Sequence, residues 1–217
     1  MNISVILGHP GKKVINRPPH LNPLPQGGED EISFNHAIAA ETTATLTDNG
    51  HRVWYHDLYE ERFDAILPAS EIPKTAELPF LVKQHCDELA QADGIVIIHP
   101  NWWGQPPAIM KGWIDRVIRP GVAYEFLEND SGEGVPRGLL KVKTAVVLNT
   151  SNTQEERERA IFGDPLDTIW KNCIFGLCGV TDVRRKTFSV IVTSTDVRRE
   201  AWLRDVRELV DHAFPKS

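Results

Sequence analysis

The chain has 217 residues, with 24 basic and 30 acidic side chains and a net charge of −6 when histidine is neutral. That balance argues against a protein built on a nucleic-acid backbone, which calls for a basic face. The 41% hydrophobic content is that of a globular chain able to bury a core without disulfides or a metal.

The run from Ile3 to Leu7, ending at Gly8, predicts a buried strand. It carries neither the basic start nor the small-residue cleavage site of a targeting signal. From Lys12 to Ile32 no helix or central strand is expected: Pro18, Pro19, Pro23 and Pro25 precede Gln26-Gly27-Gly28 and the acidic Glu29-Asp30-Glu31. This segment reads as a Pro-rich inserted loop, either a solvated excursion or a lid or partner-binding segment. Ser33 is a suitable N-cap for a helix that stops at Asn49-Gly50. Arg52–His56 predicts the second strand, Phe80–Ala92 a helix, and Gly94–His99 the third strand. Pro106 and Pro107 then open a helix through Ile118, whose spacing puts Ile109, Met110, Trp113, Ile114, Val117 and Ile118 in the core and pairs Lys111 with Asp115 at the surface. Gly132-Glu133-Gly134 with Pro136 and Gly138 marks a surface loop before the fourth strand, Val142–Leu148. The charged run Glu155–Arg159 reads as a solvated face. A helix follows around Leu166–Leu177, then a strand at Phe188–Val192 and a last helix from Thr195 to about Ala213.

Strands and helices alternate, and most strands are continuously apolar, which predicts an α/β fold with a parallel sheet covered on both faces, in a single domain over residues 1–217. Such sheets bind ligands beyond the carboxyl ends of their strands, where the strand order reverses. The loops that matter therefore begin at Gly8, Pro100 and Asn149. The first joins His9 to Ser33-Phe34-Asn35, where a helix N-terminus and a hydroxyl suit a phosphate; a lone histidine is also commonly structural. The second carries adjacent Trp102 and Trp103, which either press on a flat aromatic ligand or pack under neighbouring helices. The third, Asn149-Thr150-Ser151-Asn152, could bond the polar edge of a heterocycle or form a simple turn. There is no dinucleotide glycine fingerprint, P-loop or Gly-x-Ser-x-Gly elbow, and the three cysteines, Cys86, Cys173 and Cys178, have neither Cys-x-x-Cys nor zinc spacing. No metal is expected. Chemistry supplied by a bound cofactor is the natural inference.

The string Pro100-Asn101-Trp102-Trp103-Gly104-Gln105-Pro106-Pro107-Ala108-Ile109-Met110-Lys111-Gly112-Trp113-Ile114-Asp115-Arg116-Val117, followed by Gly121-Val122-Ala123-Tyr124, together with His9-Pro10 and Ser33-Phe34-Asn35, resembles the flavodoxin-like NAD(P)H:quinone oxidoreductase family, flavoproteins related to DT-diaphorase. The resemblance implies a five-stranded parallel sheet of order 2-1-3-4-5. It also implies FMN (FAD in some members), NAD(P)H as co-substrate, and ping-pong transfer to a quinone or similar small acceptor. A homodimer is implied as well; the scattered cysteines predict reduced thiols in a cytoplasmic compartment, and the short apolar runs predict no membrane insertion. Carried over by position, His9, Ser33, Phe34 and Asn35 hold the flavin phosphate and ribityl region. Pro100, Asn101, Trp102, Trp103 and Gly104 take one edge of the flavin ring, and Asn149, Thr150, Ser151 and Asn152 the other. Tyr124 and Phe126 border a substrate pocket completed by a second subunit.

Two departures stand out. The insertion at about 12–32 interrupts the phosphate loop, and 154–164 lacks the Tyr and His of the DT-diaphorase branch, with Glu156 and Phe162 near those places. No catalytic residue is assigned on this basis. The alternative is a non-catalytic flavodoxin-like partner module whose flavin binding the insertion weakens.

Overall fold

The computed structural model describes residues 1–11, 33–127 and 136–216. The predicted insertion and Gly132-Glu133-Gly134 lie outside the described residues. Five strands, β1 (Asn2–Leu7), β2 (Arg52–Asp57), β3 (Gly94–Pro100), β6 (Thr144–Ser151) and β7 (Asp182–Ser189), form one parallel sheet in the order β2-β1-β3-β6-β7. Counting long strands alone, this is the flavodoxin-like order 2-1-3-4-5. Two short strands, β4 (Tyr124–Glu125) and β5 (Arg137–Gly138), pair antiparallel apart from it, with an Arg137–Glu125 ion pair.

Strand alternation distributes the core to two faces. Ile3, Val5, Leu7, Val96, Ile98, Val146 and Leu148 face α1 (Phe34–Asp48) and α6 (Asp196–Ala213). Ile6, Ile95, Ile97, Ala145 and Val147 face the other layer, which includes α2 (Phe80–Gln91) and α3 (Ala108–Val117). Both faces are therefore dry, as a parallel sheet requires. On α3, Met110, Trp113, Ile114 and Val117 are buried at helical spacing, while Lys111 and Asp115 form the expected exposed pair at 2.6 Å. Arg116 anchors the same helix to the preceding loop through a bidentate bond to Glu71 at 2.6 and 3.0 Å, both side chains being buried. All three cysteines are free, and burial raises the Cys86 and Cys178 thiols to about 11.

Three boundaries differ from expectation. Strand β6 runs on through Asn149, Thr150 and Ser151, which pair with Thr187, Phe188 and Ser189, so these residues are strand and not loop. The last strand begins at Asp182, because an edge strand paired on one side tolerates the polar Asp-Val-Arg-Arg-Lys run. It ends at Ser189, where Val190 turns into the left-handed region at φ 64° and opens a 3-10 turn, Ile191–Thr193. The charged run forms helix α4 (Glu155–Phe162), which leads into a short α5 (Pro165–Thr168) and a π-helical segment, Ile169–Gly176. On α4 the solvated-face reading fails at Glu158, which is buried.

Candidate functional site

A cavity of about 1500 Å³ opens beyond the carboxyl ends of β1, β3 and β6. It sits at the switch point between β1 and β3, where an open α/β sheet binds its ligands. The volume exceeds the roughly 300–1,000 Å³ of a single small-ligand site. Its walls include His9, Ser33, Phe34 and Asn35, the run Pro100 to Gly104, and Thr150, Ser151 and Asn152.

The α1 wall is built by capping. Ser33 Oγ accepts from the His36 backbone N–H at 3.3 Å and bonds His36 Nδ1 at 2.7 Å, and His36 Nε2 reaches Asp57 Oδ2 at 3.0 Å. His9 Nδ1 accepts from the Gly11 N–H at 2.9 Å, which leaves the ring proton on Nε2. Burial first, and then His36, lowers the His9 pKa to about 4 against the opposing pull of Asp57, so the ring is neutral at physiological pH. A Cβ built on Gly11 would lie 3.0 Å from both His9 Nδ1 and Ser33 Cβ. The two described residues that flank the insertion therefore touch, and His9 stays at the helix N-terminus, 5.9 Å from His36 between ring centroids. Asn35 Nδ2 donates to Thr150 Oγ1 at 2.9 Å, while its Oδ1 is buried without a partner among the described residues.

The Pro100–Gly104 wall is a tight turn. Trp102 and Gln105 exchange backbone bonds at 3.1 and 3.0 Å, and Asn101 Oδ1 accepts from the Gly104 N–H at 2.9 Å. Gly104 adopts φ 71°, which suits glycine, and Trp103 adopts φ 59°, which does not suit tryptophan. Trp103 is 100% exposed and Trp102 42%, so neither packs under a helix.

Behind this turn runs a closed polar ring. His99 Nδ1–H donates to Pro100 O at 2.8 Å, and His99 Nε2 accepts from Trp170 Nε1 at 2.9 Å and Asn149 Nδ2 at 3.1 Å. Burial first, helped by Arg185 and opposed by the bond to Pro100, lowers the His99 pKa to about 4, matching the neutral tautomer these bonds demand. Asn149 Oδ1 accepts from Arg185 Nε at 2.9 Å, and Arg185 Nη1 donates to Asp164 Oδ2 at 2.8 Å. The Asp164 N–H donates to Glu158 O at 3.2 Å, and Glu158 Oε1 accepts from Asn101 Nδ2 at 3.0 Å, closing the ring on the residue after Pro100. Trp170 comes from the π-helical segment, a local widening often found at functional sites.

Not every expected residue reaches the cavity. Asn149 is fully buried behind the wall, and its strand pairing turns its amide to His99 and Arg185. Tyr124 and Phe126 pack edge to face, 5.8 Å apart, and do not line the cavity of the single chain. The cavity also draws on Glu158 and Phe162 from α4, on Ile191, and on Arg199 from α6. Arg199 lies over the Phe34 ring at 5.8 Å and donates to Ser194 Oγ at 2.9 Å. The spacing of Glu158 and Phe162, four apart on one helix, was the available signal for α4; nothing local marks Arg199.

A second cluster lies elsewhere. Ligand-capable atoms of His56, Glu61 and His85 fall within 4.8 Å of one another, the spacing of a metal site. The protons argue otherwise. Trp113 Nε1–H fills His85 Nδ1 at 2.9 Å, so His85 Nε2 carries the ring proton and donates to Glu61 Oε2 at 3.1 Å. A metal-bound histidine does the reverse, presenting one bare nitrogen to the ion and donating from the other.

Residues 25–210 match the family model for the flavodoxin-like fold. A protein of Haemophilus influenzae named an uncharacterized NAD(P)H oxidoreductase is 34% identical over 175 residues, 79% of this chain and 84% of that one. An FMN-dependent NADH:quinone oxidoreductase of Sinorhizobium fredii is 30% identical over 168 residues, 72% of this chain and 77% of that one. The solved NAD(P)H:quinone oxidoreductase of Methanothermobacter marburgensis superposes with a TM-score of 0.73 at 25% identity, covering 97% of this chain and 95% of that one. The chain belongs to the flavodoxin-like NAD(P)H:quinone oxidoreductase family, and it is an oxidoreductase.

Proposed function

We propose that the protein is an FMN-dependent NAD(P)H:quinone oxidoreductase working by a ping-pong mechanism, as a single-domain, cytoplasmic homodimer. The observation that carries the reading is the intact α1 cradle: Gly11 and Ser33 touch, His9 sits neutral at the helix N-terminus, and Ser33, Phe34 and Asn35 line the cavity beside it. The helix N-terminus fits a phosphate. His9, Ser33, Phe34 and Asn35 would hold that part of FMN. The Pro100–Gly104 turn with Thr150, Ser151 and Asn152 would hold the ring. With FMN in place, the chemistry supplied is two-electron transfer from NAD(P)H to a quinone-type acceptor.

The chain's own residues then have positional work. The polar ring behind Pro100 fixes the turn, and Trp102 excludes water from one flank of the cavity. The homodimer is supported by Trp103, fully exposed in a strained conformation, and by the exposed Ile66, Ile72 and Phe80. Among the described residues, no helix is long and apolar enough to cross a membrane. The contact between Gly11 and Ser33 counts against the partner-module alternative, which needs the insertion to open the cradle.

The test is the visible absorption spectrum of the purified protein, first alone, then with FMN or FAD, then with NADPH without oxygen. Bound flavin that bleaches with NADPH is the expected result; a protein that takes up neither flavin overturns the reading. Parallel double-reciprocal plots are expected for NAD(P)H against a quinone, and intersecting lines would rule out a shared pocket.

A further inference from the structure

Glu158 is buried, 7% exposed, and lines the cavity from α4. Its Oε1 accepts from Asn101 Nδ2 at 3.0 Å, whereas Oε2 accepts no hydrogen bond among the described residues. Oε2 is not among the fully buried unpartnered atoms, so it meets the open cavity, where a ligand donor can replace water on it. The opposite wall has the contrary character: the α1 N-terminus at Ser33 and the Arg199 guanidinium both favour anions. The cavity is thus polarised, donor-rich at α1 and α6 and carboxylate-bearing at α4. Its volume of about 1500 Å³ leaves room for a second ligand beside the first.

We propose, resting on the reading above, that Glu158 determines specificity for the electron acceptor. Its Oε2 accepts a hydrogen bond from an O–H donor on an uncharged aromatic ring, a hydroxylated quinone or a hydroquinone product, and its charge turns away rings that carry a sulfonate or carboxylate. The Asn101 amide is the positioning partner: it holds Oε1 and aims Oε2 inward. Phe162, one helical turn further along α4, supplies an apolar flank to the same ring.

The experiment measures binding to the oxidised, FMN-loaded protein by titration calorimetry. Two probes share one tricycle: anthraquinone-2-sulfonate and the neutral 2-(hydroxymethyl)anthraquinone. The wild type should prefer the neutral probe by about tenfold, the scale of one charge-assisted bond gained or one repulsion avoided. Glu158→Gln keeps an oxygen for Asn101 Nδ2 but loses the charge, and should bring the ratio of affinities to about one. Glu158→Asp keeps the charge and should keep the preference. Equal binding of both probes by the wild type overturns the proposal, and does so even if neither variant folds. An undiminished preference in Glu158→Gln overturns it as well. A protein that takes up no FMN defeats the functional reading; one that takes up FMN and fails to discriminate defeats only the role of Glu158.

Discussion

Asn35 Nδ2 donates to Thr150 Oγ1 at 2.9 Å, which ties the first turn of α1 to the carboxyl end of β6 across the switch point. The same amide leaves Oδ1 buried and without a partner among the described residues. One side chain thus closes the cradle at the cost of one buried, unpartnered oxygen. Asn35→Ala should cost the free protein only about 1 kcal/mol, the net worth of one hydrogen bond, because removing the orphaned oxygen offsets part of the loss. FMN affinity should fall about tenfold, since the cavity wall loses the bond that ties α1 to β6. Urea denaturation and a flavin-fluorescence titration check the two halves separately.

Adjacent arginines on β7 should behave oppositely. Arg185 points inward, with its side chain 6% exposed, and serves both Asp164 Oδ2 and Asn149 Oδ1. Arg185→Met should cost about 3–5 kcal/mol, because it strands a buried carboxylate. Arg184 points outward to Asp182 at 2.9 Å, with side chains 29% and 42% exposed. Arg184→Met should cost less than about 1 kcal/mol, as solvent already screens the pair. Denaturant midpoints of the two variants, measured side by side, decide the matter.

The histidine–carboxylate cluster sets an alkaline limit. His56 Nδ1 meets Glu61 Oε1 at 2.7 Å and Nε2 meets Glu88 Oε2 at 2.5 Å, so both nitrogens donate and the ring is an imidazolium. Burial lowers the His56 pKa, but the bonds to Glu61 and Glu88 outweigh it and raise the value above 6.5. A raised folded pKa means the contribution is complete below the unfolded value and is lost as pH climbs through the folded one. For Glu61, burial raises the pKa, and the bonds to His56 and His85 outweigh it to leave about 2. Its share is present above the unfolded value of 4.5 and disappears as pH falls toward 2. Thermal melts of wild type and His56→Gln between about pH 5 and 9 should show an alkaline loss of stability only in the wild type. Parallel curves would sink this account.

Gly112 sits in the middle of α3, where alanine would gain about 1 kcal/mol in helix propensity. A Cβ there would lie 2.2 Å from Ala65 O and 2.4 Å from Ala65 Cα, both backbone atoms that cannot swing aside. The overlap wins, so Gly112→Ala should destabilise by about 1–3 kcal/mol or more. A melting temperature at or above that of the wild type would show that the loop through Ala65 yields.

The parallel sheet and the capping of α1 by Ser33 were legible from local signals, whereas the strand order came from the family resemblance and the exposure of Trp102 and Trp103 was open between two readings. Continuous β-branched runs can only be buried strands, and a serine before an apolar helix is a cap. The expected His9, Ser33, Phe34 and Asn35 meet on one wall although 23 positions separate His9 from the hydroxyl-bearing cap only in numbering order through the insertion, because the chain leaves and returns at touching residues. That contact is a property of folded space and no spacing rule contains it. Asn149 shows the converse. Its sequence neighbours suggest a polar loop, but hydrogen-bond register with β7 carries the strand past Leu148 to Ser151, and a period of two turns its amide to the interior.

Sequence by itself determined the strands β1, β2 and β3 and the helices α1, α2, α3 and α6, since hydrophobic period and caps act over a few residues, but not the polar edge strand β7 or the charged helix α4. Only the tertiary structure decided which polar side chains face the cavity. Glu158 looks like one acid in a solvated run until α4 docks against the Pro100–Gly104 turn, and Arg199 has no local mark until α6 lies over Phe34. Whether a charge is screened by water or aimed into a pocket depends on what packs over it, and for both residues that partner lies far away in the chain.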